Sequence, residues 1–285
     1  MKQKPRTLSG ICKLTGAKGK FVDAHLIPRA FTRPREAGHP FIQGGKGTRP
    51  GLRWNGWYDQ QLVIRKGEDI LETLDTWAAR ELRNNELVWG GWGPARALSN
   101  VPEVLAEDGR GFREIHGLDP DKLRLFFLSL LWRAAASGRP EFSEVSIPDA
   151  DLERLRLMLV ENNPHPLSFY ATMLLQFSTL GPSQNLSPFS EIVDLLNEDM
   201  TVRKTPIFRF YFDGLASWTI RNATDQRLVD NYGNIIVGHG STLRVPTTIY
   251  EGSFQDVNGI RGFADSITQH PHDMMKMLRP KLRDP

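Results

Sequence analysis

The sequence predicts an α+β fold: a small basic N-terminal module, then a larger part with helices first and a mostly antiparallel sheet later. Three observations predict it. Apolar residues recur with helical spacing between Glu68 and Val160. After Phe169 the pattern turns to alternation with period two, broken by turns rich in Gly and Asn. Charge divides the chain as well. Up to Arg53, twelve basic residues stand against two acids, Asp23 and Glu36, so that stretch carries +10 in a chain whose total is +3, and residues 54–285 carry −7. The expected division is a module over 1–95 and an α+β part over 96–285.

Residues 1–12 read as extended, and Thr15-Gly16-Ala17-Lys18-Gly19 as a turn-rich loop. Phe21-Val22 reads as a short strand running into Ala24-His25-Leu26-Ile27, where Pro28 ends regular pairing. Thr32 to Arg53, rich in Gly, Pro and Arg, reads as a long surface loop, and Trp54 to Ile64 as turn and strand. Glu68 to Leu82 is a helix, with Ile70, Leu71, Leu74, Trp77, Ala78 and Leu82 on one stripe. Trp89-Gly90-Gly91-Trp92-Gly93-Pro94 interrupts. Asp119-Pro120 opens the strongest helix, striped by Leu123, Phe126, Phe127, Leu130, Leu131 and Ala134 and stopped by Gly138. Asp149 to Val160 gives another.

Phe169 to Phe177 is apolar and fits either a helix or a strand. Ile207 to Phe212 reads as a strand, Asp213-Gly214 as a hairpin turn and Ala216 to Ile220 as the returning strand. Arg227-Leu228-Val229 and Ile235-Ile236-Val237 read as strand segments around Asn231 to Asn234, and Leu243 to Tyr250 as one more strand. The tail after Thr268 is at most helical.

Composition bounds the class. Hydrophobic residues make up 40% and charged residues 24%, which suits a folded chain rather than a disordered one. No apolar run approaches the roughly 18 to 20 residues that cross a bilayer. The basic start, Met1 to Arg6, is not followed by an apolar stretch, so no secretory signal is expected. The one cysteine, Cys12, excludes a disulfide within the chain, and the expected compartment is the cytoplasm. The basic N-terminal charge suits a polyanion such as DNA, with RNA open, and suits a solvated surface as well.

Cys12-Lys13-Leu14-Thr15-Gly16, eight further residues and then His25-Leu26-Ile27-Pro28-Arg29 resemble the start of an HNH (ββα-metal) nuclease. Ala24-His25-Leu26-Ile27-Pro28-Arg29-Ala30-Phe31 is similar to the motif of bacterial HNH-like proteins, in which a histidine, an apolar pair, proline, a basic residue and an aromatic follow in order. The resemblance covers residues 10–83 and is faint beyond, where Leu131-Trp132-Arg133 also fits. It implies a ββα-metal module, a metal-dependent DNA endonuclease using Mg or Mn, and a bacterial or phage setting with antiviral defence as one context. It also implies His25 as general base on a water attacking phosphorus.

Two departures stand out. Thr15, Ile64 and Gly67 occupy positions where the family pattern has zinc cysteines, so a structural zinc is not expected. Trp54, Trp57 and Trp77 are the candidates to brace the module instead. Ala24 stands where many such enzymes have a metal-binding acid, with Asp23 one position out of register.

His25 is therefore the candidate catalytic or phosphate-binding residue. Asp59, Glu68, Glu72 and Asp75 are the candidate metal ligands; the last three, spaced i, i+4 and i+7, share a helix face, and each of them also reads as part of a solvated acidic face. Arg29, Arg33, Arg35, Lys46, Arg49 and Arg53 are the candidate nucleic-acid contacts, since guanidinium clamps phosphate bidentately. Gly44-Gly45-Lys46-Gly47 lacks the flanks of a phosphate-binding P-loop. The alternating Phe208, Phe210 and Phe212 suit a sheet core or a stacking platform for bases. His39, His116, His165, His239, His270 and His272 carry no role. A second reading keeps the same frame without catalysis, as a subunit that binds nucleic acid or, through 96–285, a protein partner.

Overall fold

The computed structural model describes residues 8–33, 41–44, 51–54, 56–91, 93–99, 103–104, 107, 109–182, 185–221, 226–272 and 275. It is an α+β fold. No helix among these residues is long and apolar enough to cross a membrane.

The N-terminal part is a set of short strands leading into one helix. Strands β1 (Ser9–Ile11) and β2 (Lys18–Lys20) form a hairpin around Gly16, and β3 (Ala24–His25) follows. Strands β4 (Phe41–Gly44) and β5 (Gly51–Arg53) form a second hairpin inside the stretch expected to be a loop. Strand β6 (Tyr58–Asp59) returns antiparallel to β3. Helix α1 (Arg65–Asn84) begins three residues before the expected Glu68, from the extended Ile64. It buries Leu71, Leu74, Ala78 and Leu82, the stripe its spacing predicts.

Strands β7 (Glu103–Val104) and β8 (Gly111–His116) precede helix α2 (Pro120–Ala136). Asp119 caps α2 by accepting from the Lys122 N–H at 3.0 Å, and Pro120 takes a first-turn place where its missing N–H leaves nothing unsatisfied. Almost every α2 side chain from Leu123 to Ala136 is buried, so the helix is wrapped on all sides and not on one. Helix α3 (Asp149–Val160) has the predicted bounds.

A seven-stranded sheet completes the fold. Its later strands are β9 (Thr172–Phe177), β11 (Phe189–Leu196), β12 (Val202–Phe212), β13 (Leu215–Ile220) and β14 (Thr242–Thr248), with the two-residue β10 (Asn185–Leu186) lying outside it, parallel to β4. The order is β11-β12-β13-β9-β14-β8-β7, antiparallel except for β9 beside β14. Asp213 and Gly214, with φ of 48° and 85°, make the tight turn between β12 and β13 that their sequence predicts.

Two expectations are corrected. Arg227-Leu228-Val229 lies in helix α4 (Gln226–Tyr232), and Ile235-Ile236-Val237 forms a single-turn helix end with one bridge to Met173. Leu228 and Val229 bury against the outer sheet face, which a short helix achieves as well as a strand. Helix α5 (Phe254–Gln269) starts well before the expected tail.

One hydrophobic core runs from Cys12 to Val245, through α1, α2, α3 and the inner sheet face carrying Phe208, Phe210 and Phe212. Phe31, the aromatic of the His25 motif, is driven into it, with its ring 4.9 Å from Phe212 and 6.1 Å from Phe126. Of the three tryptophans expected to brace the module, Trp57 is buried against Phe142 and Trp77 is half-buried, but Trp54 is 57% exposed. Helices α2 and α3 add to that bracing: Lys13 Nζ donates to the Ala136 carbonyl at 2.6 Å and Arg156 Nη1 to the Leu14 carbonyl at 2.9 Å.

Candidate functional site

The His25 motif is anchored on both sides. Ala24, Leu26 and Ile27 are buried, and the Leu26 N–H donates to the Trp57 carbonyl at 2.9 Å. Pro28 then stops the strand, a short turn runs over Arg29–Phe31, and Phe31 locks into the core. His25, half-buried between these anchors, faces a cavity of about 300 Å³.

That cavity collects five of the eleven predicted site residues, His25, Arg29, Glu68, Glu72 and Asp75. Asp23, His25 and Arg29 line one side; Arg65, Glu68, Glu72 and Asp75 line the other, from α1. The i, i+4, i+7 spacing therefore puts Glu68, Glu72 and Asp75 on the face that meets His25. Asp59 is not among the lining residues. Its oxygens accept from the Gln61 N–H at 2.7 Å and the Ser137 hydroxyl at 2.8 Å, so it fastens β6 to the end of α2. Arg29 is exposed on the cavity, and Arg33 and Arg53 are exposed elsewhere. Arg35, Lys46 and Arg49 lie outside the described residues.

A residue that the predicted site did not include organises this one. Arg133 of α2, with its side chain 1% exposed, grips both carboxylate oxygens of Asp75 at 2.9 and 2.5 Å. The same guanidinium donates to the His25 carbonyl at 3.0 Å and to the Ser129 hydroxyl at 2.8 Å. An arginine inside an apolar helical stripe was the available signal, one that Arg124 of the same helix shares, because a charge is buried only where something pairs it.

Electrostatics separate the two central groups. Burial holds the His25 imidazole below its ordinary value; Asp75 opposes this, and Arg133 and Arg29 reinforce it. Burial pushes the Glu68 carboxyl up to about 7, with Asp75 and Glu72 adding to the rise and Arg133 and Arg65 opposing it. Glu68 Oε2 is sealed from solvent and has no hydrogen-bond partner among the described residues.

The positions where the family pattern has thiolates also converge. The Thr15 N–H donates to Cys12 Sγ at 3.4 Å. A β-carbon on Gly67 would sit 2.8 Å from that sulfur, and Gly67 in turn donates to the Ile64 carbonyl. Burial raises the Cys12 thiol, but hydrogen bonds from Thr15, with help from Ile64 and Leu14, outweigh it and hold the thiol below its ordinary value.

A divalent metal is the group the family resemblance implies, and the side chains do not assemble a site for it as they stand. Among the described residues no group of three or more His, Cys, Asp or Glu is placed to hold a metal ion. Glu72 is paired with Arg65, Asp75 with Arg133, and Asp23 with Gln60 at 2.9 Å. His25 and Glu68 are left, one donor short of a minimal cage. The chain matches no family model, no curated protein and no solved structure.

Proposed function

We propose that the protein is an HNH-like endonuclease that hydrolyses DNA phosphodiester bonds with His25 as general base. The observation that supports this reading most is the single cavity holding a neutral-leaning histidine opposite the carboxylates of α1, with Arg29 and Arg65 on its walls. A neutral imidazole takes a proton from water, and a guanidinium orients the phosphate by paired hydrogen bonds. The basic N-terminal surface draws the polyanion in. Convergence of Cys12, Thr15, Ile64 and Gly67 supports the HNH frame independently of the cavity.

The test uses supercoiled plasmid with and without added Mg²⁺ or Mn²⁺. Nicking by the wild type, and a loss of roughly 100-fold or more in His25→Ala with plasmid retardation unchanged, is the expected result. Equal nicking by both proteins overturns the role of His25.

A second reading is a subunit that binds nucleic acid without cutting it. The pairing of Glu72 and Asp75 with arginines favours it, because those acids are withdrawn from metal binding. Salt-sensitive plasmid binding with no nicking under any condition is its signature.

A further inference from the structure

We propose that Tyr58 is a stacking platform for an unpaired base beside the scissile phosphate, so that the DNA this site takes is single-stranded. The inference rests on the nuclease reading of the cavity and names the form of its substrate.

Tyr58 is the cross-strand neighbour of His25: the two are α-carbon partners in the antiparallel pair of β3 and β6. Directly opposed residues of such a pair project to one face. The Leu26 N–H bonds to the Trp57 carbonyl, which makes His25 and Tyr58 a non-hydrogen-bonded pair. That is the closer kind, with α-carbons about 4.5 Å apart. Imidazole and phenol therefore rise side by side. His25 lines the cavity and Tyr58 does not, so the phenol stands at its edge.

Burial alternates along β6 and its approach. Trp57 turns inward to Phe142, Asp59 turns inward to Ser137, and Tyr58 turns out, 38% exposed. Its hydroxyl has no hydrogen-bond partner among the described residues. A ring left in solvent this way adds little to the fold, whereas a base offers a π face to cover it.

The main chain beneath the two rings is clamped. The His25 carbonyl accepts from Arg133 at 3.0 Å, and the Tyr58 carbonyl accepts from Arg139 Nη1 at 3.0 Å. Arg139 is held in turn by both oxygens of Glu141, at 2.9 and 3.2 Å, and lies 5.3 Å from the centre of the Trp57 ring. Two arginines, one in α2 and one just past it, thus fix the spacing of imidazole and phenol before substrate arrives. Little ordering is left for binding to supply.

Stacking selects the form of the DNA. In a duplex each base is covered by its neighbours, and its face meets no side chain. In a single strand the bases splay apart and stack on aromatic rings. A ring beside the group that activates water takes the base next to the phosphate under attack. Arg29, exposed on the cavity, supplies a phosphate contact to the same nucleotide. Trp54, 57% exposed and no more than about 14 Å from Tyr58 along the chain, offers a face to a further base of the strand.

The experiment compares one labelled oligonucleotide as single strand and as duplex, by fluorescence anisotropy in EDTA and by cleavage with Mg²⁺ or Mn²⁺. The proteins are wild type, Tyr58→Ala, Tyr58→Phe and His25→Ala, each checked by thermal melt. The expected result is single-strand binding and cleavage roughly tenfold or more ahead of duplex. Tyr58→Ala loses roughly 10- to 100-fold in single-strand binding at an unchanged melting temperature, and little in duplex binding. Tyr58→Phe keeps the affinity, because the ring and not the hydroxyl meets the base; His25→Ala binds as wild type and does not cut. Equal rates on single strand and duplex, or Tyr58→Ala binding single strand as tightly as wild type, overturns the platform and leaves His25 as base. Single-strand binding that depends on Tyr58, with cleavage under no condition, supports the platform and overturns the nuclease reading.

Discussion

Arg133 holds both oxygens of Asp75 in a bidentate pair, and the same guanidinium reaches the main-chain carbonyl of His25. Helix α2 is thereby tied to α1 and to β3 through one side chain. Replacing Arg133 with Met leaves Asp75 and the His25 carbonyl without their donor. We expect a loss of about 3 kcal/mol or more in urea unfolding, with Arg133→Met/Asp75→Leu recovering most of it. A single variant as stable as wild type would falsify the clamp.

Glu68 makes stability depend on pH with a definite sign. Its folded value lies above its ordinary 4.5, at about 7, so the folded state binds the proton more tightly. Its contribution is therefore full below about pH 4.5 and is lost as pH rises toward 7. His25, held below its ordinary value, gives a contribution present above about pH 6.5 and lost as pH falls. Glu68→Gln removes the first effect alone. We expect the variant to gain about 1–2 kcal/mol over wild type at pH 8, allowing for the partial exposure of the group, and nothing at pH 4. Thermal melts at the two pH values decide it.

Thr15→Cys/Ile64→Cys/Gly67→Cys puts thiols at the three positions that join Cys12 in the cysteine pattern, of which Thr15 and Gly67 border the Cys12 sulfur directly and Ile64 through its main chain. The sulfur of Cys12 has to swing away from the new β-carbon at position 67, and a shared zinc gives it a place to go. We expect one zinc per chain, and a tetrahedral thiolate spectrum on cobalt substitution. Gly67→Ala alone, which crowds the sulfur with nothing to relieve it, is expected to lose about 1–3 kcal/mol. A triple variant that retains no metal after gel filtration contradicts the shared geometry.

Gly214 stands at φ 85° against the Trp89 ring, where a β-carbon would approach to 2.3 Å. Asp213 beside it accepts from the Gly90 and Gly91 N–H groups at 3.0 and 2.6 Å, pinning the Trp89 loop to the β12–β13 turn. Gly214→Ala combines a disfavoured backbone with a displaced indole. A loss of about 3 kcal/mol and a red-shifted Trp89 emission are expected; an unchanged melt would show that the loop simply moves aside.

What the sequence made legible follows physical range. α2, α3 and the β12–β13 hairpin were readable because an apolar stripe, a cap and a two-residue turn are local signals. So was the face shared by Glu68, Glu72 and Asp75, since helical spacing alone sets it. α4 was misread because Leu228-Val229 buries equally well as strand or helix. β11 went unread because Ser190-Glu191-Ile192-Val193-Asp194 mixes polar and apolar residues without clean alternation, its faces being set only by pairing with β12. At the site, Asp59 turned to Ser137, and Arg133 arrived from a helix about 108 residues downstream of His25. No spacing rule reaches across such a separation; only the packed core brings those groups together.

The Cys12 corner bears on where such a protein can work. Frames closed by four thiolates answer to the supply of a trace element and to oxidants that strip it away. Here the same corner is closed by a hydrogen-bonded sulfur, a glycine and apolar packing, with α2 and α3 clasping it from behind. Chelators and zinc starvation, which unfold a thiolate-caged module, are expected to leave this corner standing.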